Sequence, residues 1–125
     1  MGSKDTSLVT EALSGAQWAM TEEELLWGTM SMAVPLGWEV FHTWDSRSTL
    51  REAKVALARG INWSGFPDLC LLRVPRLVVM ELKSQKGRID PRQQMWIDGL
   101  VSCGIEAGIY RPTQWFDGTI ERLLE

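Results

Sequence analysis

The sequence predicts an α/β domain in which a central mixed sheet of about four strands is flanked by helices. Three observations indicate this class. Residues 69–74 and 77–82 are near-continuous apolar runs, which are typical of strands in the middle of a sheet. Residues 91–103 carry an apolar stripe at helical spacing behind an Asp-Pro start, and β-rich segments precede and follow these elements. The predicted order is α-β-β-β-α-β-α.

The first predicted helix begins after Thr21. Threonine caps a first turn well, and Glu24, three residues later, can bond back to the threonine amide. Pro35 and Gly37 end the helix because proline lacks a backbone donor and glycine permits the turn outwards. The β-branched and aromatic residues 38–44 then predict the first strand.

A long polar connection is predicted for residues 45–66, in which only residues 51–59 have helical character. The two apolar strands follow this connection. Pro75 and Arg76 lie between them and predict a tight hairpin turn.

The clearest predicted helix begins with Asp90 as its N-cap and Pro91 as its first residue, and it ends at Gly104. Residues 105–110 predict a fourth strand. Residues 115–124 predict a closing helix.

The composition favours one soluble domain. The 125 residues are 45% hydrophobic and 23% charged, and the chain has neither the pattern of a secretory signal nor an apolar run of roughly 20 residues that could span a membrane. We therefore expect a cytoplasmic protein, with residues 1–20 as an N-terminal extension and residues 21–125 as the domain. Residues 1–3 have the form of a cloning remnant. Cys70 and Cys103 lack metal-ligand spacing and are expected to be buried, reduced thiols.

The net charge of −3 hides a basic middle. Residues 42–92 carry ten Lys or Arg against five Asp or Glu, whereas residues 1–41 and 93–125 sum to −5 and −3. A basic stretch suits contact with nucleic-acid phosphates, although scattered solvated charges would give the same count.

A hairpin with Pro75 and Arg76 as its turn residues brings charged side chains together. In that register Asp68 lies opposite Lys83, and Glu81 is diagonal to Asp68. Side chains alternate between the faces of a strand, so all three project from the same side. The backbones of Asp68 and Glu81 are then roughly 7–8 Å apart, which is close enough for the two carboxylates to share one divalent cation.

Carboxylates at the ends of apolar strands are costly to bury unless a cation compensates their charge. A Mg²⁺ or Mn²⁺ ion held by Asp68, Glu81 and the backbone carbonyl of Leu82 would leave positions for a phosphate and a nucleophilic water. Lys83 is expected to meet the negative charge that develops on the phosphate. The pattern therefore predicts phosphodiester hydrolysis.

These residues resemble the core of the PD-(D/E)xK nucleases. Residues 65–69, followed by Glu81-Leu82-Lys83 after an apolar strand, are similar to that motif. More specifically, the chain resembles the small stand-alone VRR-NUC domains of phages and bacteria from about Glu22 to Leu124. Further residues that agree with this family are Gly37-Trp38, His42-Thr43, Asp45-Ser46-Arg47, Gly87, Pro91, Gln93, Trp96 and Arg111-Pro112.

The resemblance implies a restriction-endonuclease-like fold and a metal-dependent endonuclease acting on branched DNA such as a Holliday junction. It implies that Gln93 is an active-site residue and that Glu24 completes the metal site, often through water. Glu22 and Glu23 remain alternatives to Glu24. Because each chain offers one reaction centre, cutting a branched substrate implies a homodimer.

Plainer explanations exist for several of these residues. Glu24 is explained by the helix cap alone, Gln93 or Gln94 by an exposed first turn, and His42 by a hydrogen-bonded strand end. The seven tryptophans are expected in the core or at a subunit contact, with Trp63 as the exception that could stack on a base. The predicted DNA contacts are His42, Ser46, Arg47, Lys86 and Arg88.

Other functions fit the same sequence. A DNA-binding module that does not cut would keep the basic surface, and a nuclease could act on flaps, single strands or plain duplex. A purely structural protein is a third class. It would show no DNA binding that weakens with salt, whereas phosphate contacts require such a dependence.

Overall fold

The structure is a computed structural model that describes residues 15–43 and 47–125, except for the side chains of residues 47–50. Most of the predicted N-terminal extension and the predicted DNA contact Ser46 lie outside the described residues. Residues 15–19 are helical. Within the described part of the chain, no helix is both long and apolar enough to cross a membrane.

From residue 22 onwards the described helices and strands follow the predicted order, except that a helix lies in the predicted connection and the last helix is divided. The helices are α1 (Glu22–Ala33), α2 (Arg47–Ala58), α3 (Pro91–Ser102), α4 (Pro112–Phe116) and α5 (Thr119–Leu124), and the strands are β1 (Glu39–His42), β2 (Leu69–Arg73), β3 (Arg76–Leu82) and β4 (Glu106–Tyr110). The strands form one sheet in the order β1-β2-β3-β4, antiparallel except for the parallel pair β3-β4. The predicted α/β class with a mixed four-stranded sheet is confirmed.

The predicted caps fix the starts of α1 and α3. Glu24 N donates to Thr21 Oγ1 at 3.0 Å, and Thr21 N donates to Glu24 Oε1 at 2.9 Å, so a complete capping box begins α1. Asp90 caps α3 in the same way, with Pro91 as the first helical residue. The turn that follows α1 ends at Gly37. The φ of Gly37 is 91°, a conformation that favours glycine.

The sheet has one apolar face and one face that carries polar side chains. Leu25 of α1 and Ile120 of α5 are fully buried in the core on the apolar face. The strand residues on that face, all at 0% exposure, are Leu69, Leu71, Val78, Met80 and Leu82. Helix α3 packs against β4 and buries Ile97. Because side chains alternate, Glu81 and Lys83 project from the face opposite to Leu82.

The hairpin register differs from the predicted one by two residues. Arg76 pairs with Arg73, so Val74 and Pro75 form the turn. Proline cannot donate to the ladder, whereas Arg76 lies within β3 and its guanidinium bonds Glu106 of β4 at 2.8 and 2.9 Å. Because the shift is two residues rather than one, no side chain changes face.

Three local predictions were wrong. The predicted connection 45–66 contains α2, because that stretch is rich in helix formers although it shows no clear start signal. The predicted helix 115–124 is divided at Gly118, whose φ of 83° interrupts the helical backbone. Cys103 is exposed because it follows the end of α3 at the surface, and Cys70 is only partly buried. Both cysteines are free thiols.

Candidate active site

Two acidic side chains meet at the end of the central strands. Asp68 directly precedes β2, and continuing the β2-β3 register by one pair places it opposite Glu81. Asp68 Oδ2 accepts a hydrogen bond of 2.8 Å from the backbone N of Leu82, which fixes the carboxylate against β3. Lys83 lies two residues beyond Glu81 on the same face. The structure therefore brings the three predicted reaction-centre residues together.

Glu81 is a buried carboxylate with one oxygen left unpaired. Its side chain is 2% exposed. Oε1 accepts a hydrogen bond of 2.9 Å from Gln93 Nε2 and lies 3.8 Å from Nζ of Lys83. Among the described residues, Oε2 is the one buried side-chain nitrogen or oxygen without a hydrogen-bond partner. Leaving a buried acceptor unpaired is costly, so this oxygen calls for either a proton shared with Asp68 or a ligand from outside the chain.

The same surroundings disfavour the charged form of Glu81. Burial and the negative charge of Asp68 together raise the pKa of its carboxyl to about 8, against the opposing positive charge of Lys83. A pKa displaced this far by burial and a like charge is typical of functional sites. A bound cation would have the opposite effect and favour the charged form, because it stabilises both carboxylates in their ionised form.

The donor set fits a hard divalent cation. Within residues 15–43 and 47–125, no group of three or more His, Cys, Asp or Glu side chains could hold a metal ion, so Asp68 and Glu81 form a two-carboxylate set. Mg²⁺ is commonly bound by one or two carboxylates and keeps several waters, so a third acidic side chain is not required. The unpaired Oε2 of Glu81 and the charge of Asp68 are oxygen donors of the kind that this ion prefers.

The first-helix glutamate that faces this site is Glu22, not Glu24. Glu24 is engaged in the capping box, and its hydrogen bonds with Thr21 lower the pKa of its exposed carboxyl. Partial burial raises the pKa of Glu22, while the positive charge of Lys83 lowers it and the negative charge of Asp68 raises it. The structure thus holds the Glu24 carboxylate at the helix N-terminus, and the choice between Glu22 and Glu24 at the site is tested by substitution.

Alanine substitutions should separate these two glutamates. We expect Glu22→Ala to lower the rate of the phosphodiester hydrolysis predicted from the sequence by roughly 10- to 100-fold, the usual effect of losing an outer-shell partner. Glu24→Ala should retain wild-type cleavage but lose about 1 kcal/mol of unfolding free energy, because a cap is broken. Cleavage rates and urea unfolding of both variants test this. A larger loss of cleavage in Glu24→Ala than in Glu22→Ala would instead assign Glu24 to the metal site.

Gln93 lies at the site as the sequence predicted, and it performs two tasks. Its Oε1 accepts a hydrogen bond of 2.9 Å from the backbone N of Asp90, and its Nε2 donates to Glu81. The helix cap therefore orients the amide that contacts the buried carboxylate. Gln94 bonds Asp98 at 2.8 Å on the outer side of α3 and is not part of the site.

Arg111 is a positioning residue that the sequence analysis did not assign to the site. Its Nη1 donates to three carbonyl oxygens of the loop after β3, at 2.7, 3.2 and 2.9 Å for Ser84, Gln85 and Gly87. This loop directly follows Lys83. In the sequence, Arg111 belongs to the Arg-Pro pair that resembles the family, but nothing in its local sequence predicts these hydrogen bonds.

Of the predicted DNA contacts, His42, Lys86 and Arg88 lie around the same edge of the sheet. His42 ends β1, and its Nδ1 lies 3.0 Å from the carbonyl oxygen of Asp68. Lys86 and Arg88 are exposed in the loop after β3. Arg47 begins α2, and its side chain lies outside the described part of the structure.

A cleft of about 690 Å³ adjoins Asp68. Its walls come from the end of β1, from α2 and from residues 61–66, and its lining includes Asp68 and Gln93. The cleft therefore opens onto the site, and its size is within the range of small-molecule pockets.

The comparison with protein families gives one match. The family model of the VRR-NUC domain matches residues 38–113. This range is more than half of the chain and includes Asp68, Glu81, Lys83 and Gln93. Searches of curated proteins and of solved structures found no match. The chain thus belongs to the VRR-NUC family, a family of nuclease domains in the PD-(D/E)xK-like superfamily.

Proposed function

We propose that the protein is a metal-dependent endonuclease that hydrolyses phosphodiester bonds of branched DNA, with the Holliday junction as the leading substrate. The observation that carries this proposal is the buried, unpaired Oε2 of Glu81 beside Asp68 and Lys83. Two carboxylates next to an ammonium suit a divalent cation and a phosphate at once. Membership of a nuclease family supports DNA as the substrate.

The reaction centre divides its tasks among a few groups. Asp68, Glu81 and the backbone carbonyl of Leu82 would hold the cation, which we propose to be Mg²⁺ or Mn²⁺. Such a cation, when bound, lowers the pKa of a coordinated water and offsets phosphate charge. Lys83 presents its ammonium to the negative charge that develops on the phosphate. Gln93 holds the Glu81 carboxylate in its orientation through the bond to Oε1.

The surroundings of the centre supply substrate binding. Phosphate contacts by His42, Ser46, Arg47, Lys86 and Arg88 would fix the DNA backbone and make binding dependent on salt. Cleavage would leave 3′-hydroxyl and 5′-phosphate ends, as the resemblance to the family implies. The free cysteines are compatible with a reducing bacterial cytoplasm, which is the proposed location.

A homodimer is the proposed working form. Each chain contributes one pair of carboxylates, whereas resolving a four-way junction requires two cuts. A two-fold axis would place two centres at symmetric positions on such a substrate. Size measurement of the protein alone and bound to a junction tests this separately from the chemistry.

The chemical proposal is tested with four DNA substrates, namely a four-way junction, a flap, a duplex and a single strand. We expect cleavage with Mg²⁺ or Mn²⁺, no cleavage with EDTA, and the highest rate on the junction. Salt-dependent binding without cleavage in either metal would instead identify a DNA-binding module that does not cut. A higher rate on flaps, single strands or duplex would leave the enzyme class intact and replace the junction as the substrate.

A further inference from the structure

The cleft beside the carboxylates has an apolar lining that phosphodiester hydrolysis alone does not require. Four large side chains of this lining remain substantially exposed, Phe41 at 61%, Leu57 at 54%, Ile61 at 55% and Trp63 at 44%. They occupy the same cleft as Asp68, so a molecule bound at the carboxylates has direct access to them. Exposed apolar patches of this kind mark binding sites for a partner or ligand.

The wall that carries Trp63 is held in place by α3. Arg92 donates to the carbonyl oxygens of Asn62 at 2.7 Å and Ser64 at 3.3 Å, and Trp96 Nε1 donates to the same Ser64 oxygen at 3.0 Å. These bonds flank Trp63 on both sides. The indole is thus presented on a support whose backbone is already fixed, which reduces the entropy cost of binding.

The packing at Gly65 shows how closely this segment approaches α3. A Cβ atom at Gly65 would lie 2.7 Å from Cβ of Arg92 and 2.8 Å from the backbone N of Gln93. The φ of Gly65 is 78°, which also favours glycine. Phe66 adds an edge-to-face contact with Trp96 at 5.0 Å between ring centroids. The cleft wall and the helix that positions Gln93 are therefore one packed unit.

We propose that an unpaired nucleobase next to the scissile phosphate enters this cleft and stacks on Trp63, an inference that rests on the proposed nuclease function. The occupant must be flat and largely apolar, and it must be joined to a phosphate that reaches Asp68. A nucleobase of the DNA substrate meets these conditions, because every base offers a π-face to an aromatic ring. A base that is already unpaired enters at the lowest energetic cost. The part of the substrate that this cleft binds is thus the nucleotide beside the scissile phosphate, either already unpaired or opened at the branch point of a junction.

Binding measurements can isolate the contribution of this base. Three DNAs are compared by fluorescence anisotropy with Ca²⁺ in place of Mg²⁺: a duplex with one unpaired thymidine, the same duplex with an abasic site there, and a fully paired duplex. We expect the thymidine bulge to bind roughly 5- to 150-fold more tightly than its abasic counterpart, the range that stacking on an aromatic side chain gives. Trp63→Ala should remove this preference, and Trp63→Phe should retain most of it.

A matched control is Trp27→Ala, because Trp27 is a similarly exposed tryptophan, at 49%, that does not line the cleft. It should keep the wild-type preference for the base. Equal affinity of the wild type for the thymidine and abasic bulges would overturn the proposal, and so would a full preference in Trp63→Ala. Should Trp63→Ala fail to fold, the wild-type comparison of the two bulges still decides the matter.

The failure of this inference is distinguishable from that of the proposed function. Cleavage with Mg²⁺ but no base preference would remove the nucleobase pocket and leave the nuclease. A base preference without cleavage in any metal would leave the pocket and remove the nuclease.

Discussion

Replacing Asp68 by asparagine is expected to reduce the rate of DNA cleavage by about 10³-fold or more, while the protein stays folded. Asparagine can still accept the hydrogen bond that Asp68 Oδ2 receives from Leu82 N, so the local backbone contact is preserved. The lost group is one of only two carboxylate side chains proposed to hold the cation. A loss of about 4 kcal/mol in transition-state stabilisation corresponds to this rate effect. Single-turnover cleavage with Mg²⁺ measures it.

The matched control for this substitution is Asp98→Asn. Asp98 lies on the outer side of α3, where it bonds Gln94, and its replacement should leave cleavage within a few-fold of wild type. The two variants should also differ in metal binding, because wild type and Asp98→Asn gain melting temperature on addition of Mg²⁺ whereas Asp68→Asn gains little. Cleavage by Asp68→Asn within tenfold of wild type would contradict the two-carboxylate site.

The sequence predicted which residues meet in the hairpin, but not their register. Both the predicted and the observed turns have two residues, and the pairing of Asp68 moves from Lys83 to Glu81. Whether two side chains of the hairpin lie on the same face depends on whether the register shifts by an odd or an even number of residues, since side chains alternate along a strand. An even shift therefore preserved the site. In the observed register Arg76 lies in the ladder and pairs with Glu106 of β4, a contact that local sequence does not reveal.

The sequence alone is sufficient to exclude one candidate for the first-helix glutamate at the site. The capping box at Thr21 was predicted, and a glutamate that bonds back to its N-cap is directed at the helix terminus rather than at a neighbouring strand. Applying that rule leaves Glu22 and Glu23 as candidates. The choice of Glu22 then depends on the orientation of α1 towards Lys83, which only tertiary packing sets.

The apolar cleft was not predictable from sequence, with the exception of Trp63. Residues 45–66 were interpreted as a long polar connection in which only residues 51–59 have helical character, so apolar side chains of this stretch were not expected to line a cleft. The structure places Leu57 of α2 across from the segment of Trp63 only because α2 is helical and Arg92 fixes that segment. The second condition joins residues 30 positions apart in the chain, beyond the reach of local propensity.

Replacing Glu81 by glutamine is expected to stabilise the metal-free protein at high pH although it should abolish cleavage. The pKa of Glu81 is raised to about 8 in the folded protein from an ordinary 4.5, so the native state binds the proton more tightly than the unfolded chain does. The wild type therefore loses stability as pH rises from about 4.5 to about 8. Glutamine cannot ionise, and its amide can still accept the bond from Gln93.

The stability of Glu81→Gln relative to wild type should thus grow with pH. In EDTA we expect similar unfolding free energies near pH 4.5 and an advantage for the variant on the order of 2–4 kcal/mol at pH 8.5, since one pKa unit corresponds to about 1.4 kcal/mol and partial solvent access reduces the full effect. Urea unfolding at the two pH values measures this difference. Glu39→Gln, at an exposed position of β1, should change little at either pH. A variant less stable than wild type at pH 8.5 would mean that the buried carboxylate is satisfied within the chain, and the argument for an external cation would fail with it.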